Sequence, residues 1–185
     1  SSTPLPIAVN VSARQLMGPD IVVRVRAALD GSGLDPTLLK IEVTESAMLL
    51  DLDHTAAALS EIRALGVGIA IDDFGTGYSS LSHLKHLPAD EVKIDGSFVH
   101  TLGTDRGDAA IVRGVIEMAH AMQRQVVAEC VETDVQVAFL HGHGCDALQG
   151  HYFWPALPAA ELLEVLRALQ TRPPSANGVQ RSVVS

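Results

Sequence analysis

Cysteine is scarce in this chain of 185 residues, with Cys130 and Cys145 the only two. A single pair cannot build a disulfide framework, and free thiols point to a reducing compartment, here the cytoplasm. Positive charge is also in short supply: 13 Lys and Arg stand against 22 Asp and Glu, for a net charge of −9. That balance argues against casual binding to DNA or RNA. Long apolar runs are missing, so no membrane span is expected. Residues 1–6 carry no positive charge of the kind that opens a signal peptide. A Lys-Ser or Lys-Thr pair closing a glycine-rich loop is absent as well, so nucleoside triphosphate binding through a P-loop is not indicated. At 47% hydrophobic and 19% charged, the composition lacks the signature of disorder and describes one globular domain with a real core.

What the sequence does have is alternation. Strand-like runs occur at 7–11, 39–44, 68–72, 91–95, 126–129 and 145–149. Between them Val22, Val25 and Leu29 recur at helical spacing, as do Leu59, Ile62 and Leu65, and Ile111, Val115, Met118 and Met122. A last helix follows Pro158, with Leu162, Leu163, Leu166 and Leu169 on one face. Asp35-Pro36 opens a turn, Gly66 stops a helix and Thr133 starts one. From Thr171 to Ser185 the chain is rich in Pro, Ser, Asn and Gly without periodicity, which reads as a disordered tail.

Alternating strands and helices imply a parallel α/β sheet, either open and doubly wound or closed as a barrel. The side-chain pattern favours a TIM-like (β/α)8 barrel. Ile7, Val9 and Val11 share one face while Ala8 and Asn10 share the other, and Ile69 and Ile71 oppose Gly68, Ala70 and Asp72. Small residues that give way to a polar group suit a crowded interior opening onto a site at the strand ends.

Each strand ends in a group capable of chemistry: Asn10, Glu42 with Glu45, Asp72 with Asp73, Lys93 with Asp95, Glu129 and Gln149. Ionised groups in strands are costly unless paired or metal-bound. Six in register point to one shared mouth. Carboxylates and an amide, without His or Cys, are hard donors suited to magnesium or manganese. Asp72 and Asp73 would face opposite sides unless the strand ends between them. At a strand terminus they could serve two metal ions, an arrangement that activates water for in-line phosphoryl displacement, with Lys93 orienting the water or neutralising the phosphate. The glycines and small hydroxyl residues of 74–81 make a loop able to approach a ligand or partner closely.

Other residues carry plainer readings. Asp95 is at least as much a strand-end cap as a ligand contact, and Glu132 is either a helix-start residue or a member of the site. Arg14 belongs to the surface or to the shell behind the site. The His141-Gly142-His143-Gly144-Cys145 run forms a helix end and turn rather than a metal motif. His83, His86 and His120 are structural or exposed, and Cys130 is a packed small residue.

The motifs together resemble the EAL family of bacterial cyclic di-GMP phosphodiesterases over about residues 6–158. They are Asn10-Val11-Ser12 with Arg14-Gln15-Leu16, Glu42-Val43-Thr44-Glu45-Ser46, the 72–81 segment, Lys93-Ile94-Asp95, Val127-Ala128-Glu129 with Val131-Glu132, and Gln149-Gly150. The resemblance implies a (β/α)8 barrel that cleaves cyclic di-GMP to linear pGpG with Mg2+ or Mn2+, two ions. It implies metal ligation by Asn10, Glu42, Asp72 and Asp73, catalytic roles for Lys93, Glu129 and Gln149, and a loop of Gly75, Thr76, Gly77 and Ser79 anchored by Glu45. Homodimers, and diguanylate cyclase (GGDEF) or sensor domains upstream, are implied in the same way.

The chain departs from the family pattern in three places. The Glu-Ala-Leu segment, with its metal glutamate and nearby arginine, does not occur, Cys130 replaces a Gly, and His151 replaces a Tyr. A (β/α)8 barrel takes about 250 residues, and six strands are visible. The expectation is therefore residues 1–170 as an EAL-type domain lacking its N-terminal strands, inactive alone. A non-catalytic cyclic di-GMP receptor or interaction module is the alternative, and another two-metal phosphoesterase a third reading.

Overall fold

Strands and helices follow one another with starts and stops written in the sequence. The computed structural model describes residues 5–48, 50–77 and 81–170, apart from the side chains at 81–83, 159, 163 and 167–170. The tail expected at 171–185, Ser79 of the expected loop, and the side chains of His83, Leu163 and Leu169 fall outside that description. Strand β1 (Ile7–Asn10) leads into the short α1 (Ala13–Leu16), where Ser12 and Gln15 form a capping box, and then α2 (Ile21–Ser32). After a single 3-10 turn capped by Asp35 come β2 (Leu39–Thr44), α3 (Glu45–Met48) and α4 (Leu52–Ala64). Next are β3 (Gly68–Phe74), α5 (Leu81–His86), β4 (Glu91–Ile94), α6 (Gly96–His100) and α7 (Arg106–Ala121). The chain continues through β5 (Gln125–Ala128), α8 (Asp134–Gly142), β6 (Ala147–Leu148) and α9 (Ala159–Gln170).

All six strands are parallel and lie in strict sequence order, β1-β2-β3-β4-β5-β6. A doubly wound sheet reverses direction at a switch point and buries its first strand in the middle. Unbroken order is the progression of a barrel wall, here a curled half-barrel, and no pairing joins β6 to β1 among the described residues.

Alternation along the strands separates two faces. The outer face carries Ile41, Val43, Ile69, Ile71, Val92 and Ile94, packed with Val25, Leu29, Leu59 and Ile62 from the helices into one core. The inner face carries Lys40, Glu42, Gly68, Ala70, Asp72, Glu91 and Lys93. Lys40 pairs with Glu91 at 2.5 Å and Lys93 with Glu42 at 2.9 Å. Both pairs join β2 to β4, and β3 lies between them. Flat strands two places apart stand roughly 10 Å from each other. Small residues on the middle strand leave room for such side chains to meet over it, and Gly68 and Ala70 are those residues.

Two apolar faces differ from the sequence expectation. Ile7 and Val9 are 53% and 43% exposed on β1, which is an edge strand among the described residues. In α7 the buried set is Val112, Val115, Ile116 and Ala119, rotated from the expected stripe and leaving Ile111 exposed. Both sets satisfy helical spacing; α6 and β5, which pack against α7, select between them.

Candidate active site

Parallel strands deliver their last inward-facing residues to one end, and there Lys93 becomes the centre of a carboxylate cluster. Its Nζ lies 2.6 Å from Glu129 Oε1, 2.9 Å from Glu42 Oε2 and 3.2 Å from Asp72 Oδ1. Lys93 and Glu42 are buried, while Asp72 and Glu129 are partly open on the mouth side. Burial opposes the charge on Lys93, but the hydrogen bonds it donates to Glu129 and Glu42 outweigh it and hold the ammonium well above its ordinary range.

Asp73 joins the same cluster by a backbone device. Strand β3 does not end at Asp72; instead its register with β4 slips between Ile71 and Phe74. Asp73 sits in that bulge with φ 55, a left-handed conformation that Asp tolerates better than most residues. As a result Asp72, Asp73 and Glu129 each offer a carboxylate oxygen, and the three lie within 4.8 Å of one another. Burial raises the Asp73 pKa, with the charges of Asp72 and Asp95 adding to the effect. Burial also raises that of Glu129; Lys93 opposes the shift, and Asp72 and Glu42 add to it. Four carboxylates face one lysine, so the site carries an excess of negative charge of the kind that holds a metal ion.

The loop after β3 is fixed from below. Glu45, 2% exposed at the start of α3, accepts the Gly75 N–H at 2.8 Å. Gly77 passes so close that an added Cβ would stand 2.6 Å from Glu45 Oε1. Beyond β5 and β6 the backbones remain zipped: Gln149 donates to Ala128 O, Val131 donates to Gln149 O, and Tyr152 donates to Val131 O. Beside Glu129 a cleft of about 370 Å³ opens between Cys130, Gln149 and His151 on one side and Phe153, Trp154 and Leu162 on the other.

The structure gathers most, but not all, of the residues singled out from sequence. Glu42, Asp72, Asp73, Lys93 and Glu129 converge, and Gln149 lines the adjoining cleft. Asn10 is in register with Glu42 but exposed. Asp95 caps α6 by accepting the Ser97 N–H at 2.9 Å. Glu132 is not the helix-start group; Thr133 is, and Glu132 is exposed, 4.0 Å from His100. Arg14 and His86 are exposed, and His120 pairs with Asp146 at 2.8 Å. The His141 to Cys145 run closes α8 and turns toward β6. Cys130 has φ 54, and burial together with Glu129, Asp95 and Glu132 pushes its thiol pKa up, so it stays protonated. Cys145 is pushed up to about 12 by burial. Gln136, buried beneath this site, was not among the sequence candidates; its signal was the Thr133-Asp134-Val135-Gln136 capping box.

Known proteins are similar to this chain. The bifunctional diguanylate cyclase/cyclic di-GMP phosphodiesterase MucR of Pseudomonas aeruginosa is 47% identical over 157 residues, which are 85% of this chain and 23% of that protein. The chain thus spans about a quarter of that relative's length. A solved PaMucR phosphodiesterase in complex with cyclic di-GMP superposes with a TM-score of 0.82 at 46% identity, covering 85% of this chain and 64% of that one. The calcium and cyclic di-GMP complex of Klebsiella pneumoniae BlrP1 gives 0.74 at 34% identity, covering 80% of this chain and 38% of that one. An EAL domain model matches residues 1–156, and the chain belongs to the EAL domain family.

Proposed function

We propose that this chain is the catalytic part of a cyclic di-GMP phosphodiesterase that releases linear pGpG. The observation that carries the reading is Lys93 held at 2.6–3.2 Å among Glu129, Glu42 and Asp72, with Asp73 brought alongside. Oxygen donors alone, in excess over a single lysine, fit hard divalent cations, and we assign Mg2+ or Mn2+, two ions, to Asn10, Glu42, Asp72 and Asp73. Bound there, such cations supply Lewis-acid stabilisation of the phosphate and acidify water. The protein's own groups do the rest. Lys93 orients the attacking water and offsets charge on the phosphate, Glu129 with its raised pKa takes up a proton, and Gln149 presents its amide to the cleft. Glu45 braces the loop at Gly75, Thr76 and Gly77, and the apolar wall around Phe153 suits a purine base.

The same reading extends to the domain and its setting. Further strands complete the wall: β1 and β6 have outer edges without a strand partner among the described residues, and the exposed Ile7 and Val9 need a cover. A homodimer and linked cyclase or sensor domains come with the family reading, and the name MucR includes such a cyclase activity. None of the described helices is long and apolar enough to cross a membrane, and the free thiols suit the cytoplasm.

The direct test is the full-length protein with cyclic di-GMP and Mg2+ or Mn2+, with products separated by chromatography. Linear pGpG is the expected result. Ligand binding without product under either metal would instead identify a receptor.

Metal and pH are linked through Asp73 and Glu129. Their raised pKa values mean that the folded protein holds protons which the unfolded chain, titrating near about 4, has already released. Without metal, their contribution to stability is therefore lost as pH rises above that value. A bound cation replaces those protons. Thermal melts should show Mg2+ raising Tm several degrees at about pH 8 and roughly half as much or less at about pH 5. An equal gain at both values would show that these carboxylates do not hold the metal.

A further inference from the structure

Gln136 lies on the first turn of α8, where side chains commonly face water, yet it is only 3% exposed. Its amide makes three hydrogen bonds. Oε1 accepts from Glu132 N at 2.7 Å and Thr133 N at 2.9 Å, and Nε2 donates to Val99 O at 3.1 Å. Glu132 and Thr133 belong to the turn that follows Glu129. Val99 belongs to α6, which Asp95 launches two residues after Lys93.

We propose that Gln136 is a positioning residue that holds the turn after Glu129 against α6, the helix that follows the strand carrying Lys93, and so sets where the Glu129 side chain meets Lys93. The inference rests on the phosphodiesterase reading for its catalytic consequence. Backbone bonds hold the start of this stretch, with Glu129 N donating to Ile94 O and Val131 N to Gln149 O, but the turn at 132–133 lies past them. The buried amide takes over that task and draws the turn against α6. A second contact sets the limit of approach. Cys130 packs on Gly96 so tightly that a Cβ at residue 96 would lie 2.7 Å from Cys130 Sγ and 2.8 Å from its Cβ. The amide pulls the turn and α6 together and the sulfur stops them. The 2.6 Å contact between Lys93 and Glu129, the shortest that Lys93 makes, joins β4 to the residue just before this turn. A buried amide with all three bonds made holds position more firmly than apolar packing, because any shift strands a donor or an acceptor.

The test uses the full-length protein with cyclic di-GMP and Mg2+, comparing wild type with Gln136→Met, Gln136→Glu and Gly96→Ala. Gln136→Met keeps the volume and removes every bond; kcat should fall roughly 10- to 100-fold while KM stays within about threefold. Gln136→Glu keeps both accepted bonds, loses the donor to Val99 and should retain more activity. Gly96→Ala pushes the turn and α6 apart from the other side and should lower kcat with Gln136 intact, and adding Cys130→Gly should restore it. Crystal structures of wild type and Gln136→Met should show the Lys93–Glu129 contact opened in the variant. A merely structural role would lower Tm and leave kcat per folded molecule unchanged, and that outcome, or an unchanged contact, overturns the proposal. If Gln136→Met does not fold, the Gln136→Glu and Gly96→Ala results decide. If wild type shows no hydrolysis, the phosphodiesterase reading fails and the crystal comparison alone judges the positioning role.

Discussion

Lys93→Met is expected to reduce turnover of cyclic di-GMP by about 10³-fold or more, because one substitution removes the cation common to three carboxylates. Methionine fills the space and supplies no charge. Glu42, Asp72 and Glu129 then face one another in a mostly buried pocket, and breaking a buried ion pair from one side costs about 3–5 kcal/mol. Part of that loss is offset as the carboxylates take up protons, so the variant should be most unstable at neutral pH and recover as pH falls. Mg2+ separates the two roles. It should restore much of the melting temperature by neutralising the acids, while kcat stays low because the ammonium is still missing. Melts with and without Mg2+, paired with single-turnover rates, test both parts. Wild-type kcat in the variant would remove Lys93 from the mechanism.

Gly150→Ala is expected to produce the largest loss of stability outside the charged cluster. Gly150 has φ 156, and an added Cβ would stand 2.3 Å from both the N and the O of Val131. Those two atoms are already engaged, the N donating to Gln149 O and the O accepting from Tyr152 N. The methyl group cannot fit unless the zipper between the β5 and β6 loops opens. We expect a cost of about 3 kcal/mol and a Tm lower by roughly 10 °C. Because Gln149 is released with the zipper, KM for cyclic di-GMP should rise as well. A Tm within about 2 °C of wild type would mean that the segment relaxes freely and does not hold Gln149 in place.

The barrel wall was legible because alternation is a local property. Gly68 and Ala70 opposite Ile69 and Ile71 announce a strand with a crowded side and a packed side, and six such strands with helices between them leave few topologies. Convergence at the strand ends was legible for the same reason, since parallel strands deliver their last inward residues to one edge. What sequence does not show is backbone geometry that breaks a period. Asp72 and Asp73 were expected on opposite sides unless the strand ended, yet the strand continues and a bulge with one left-handed residue turns Asp73 back. Edge effects are similarly hidden: Ile7 and Val9 look like core residues, and their exposure depends on what lies beside β1. Gln136 escaped notice because a capping box explains its spacing completely, whereas its burial and its bond to Val99 depend on a helix 37 positions earlier in the chain.

The two salt bridges that pass over β3 have a consequence for how the domain folds. Lys40–Glu91 and Lys93–Glu42 each connect β2 with β4, so neither is in place until β3 lies between those strands. Until then Lys40, Glu91 and Glu42 lack these counter-ions across the sheet and are better left in water than carried into a core, whereas Lys93 can also meet Asp72 of β3 and Glu129 after β5. A pair of these strands alone gains packing on the helix side and pays for it on the other. The triplet β2-β3-β4 is therefore the smallest cooperative unit of this wall, and the lysine of the proposed reaction is one of the two braces that close it. Setting β3 between its neighbours and bringing Glu42 to Lys93 therefore go together in folding.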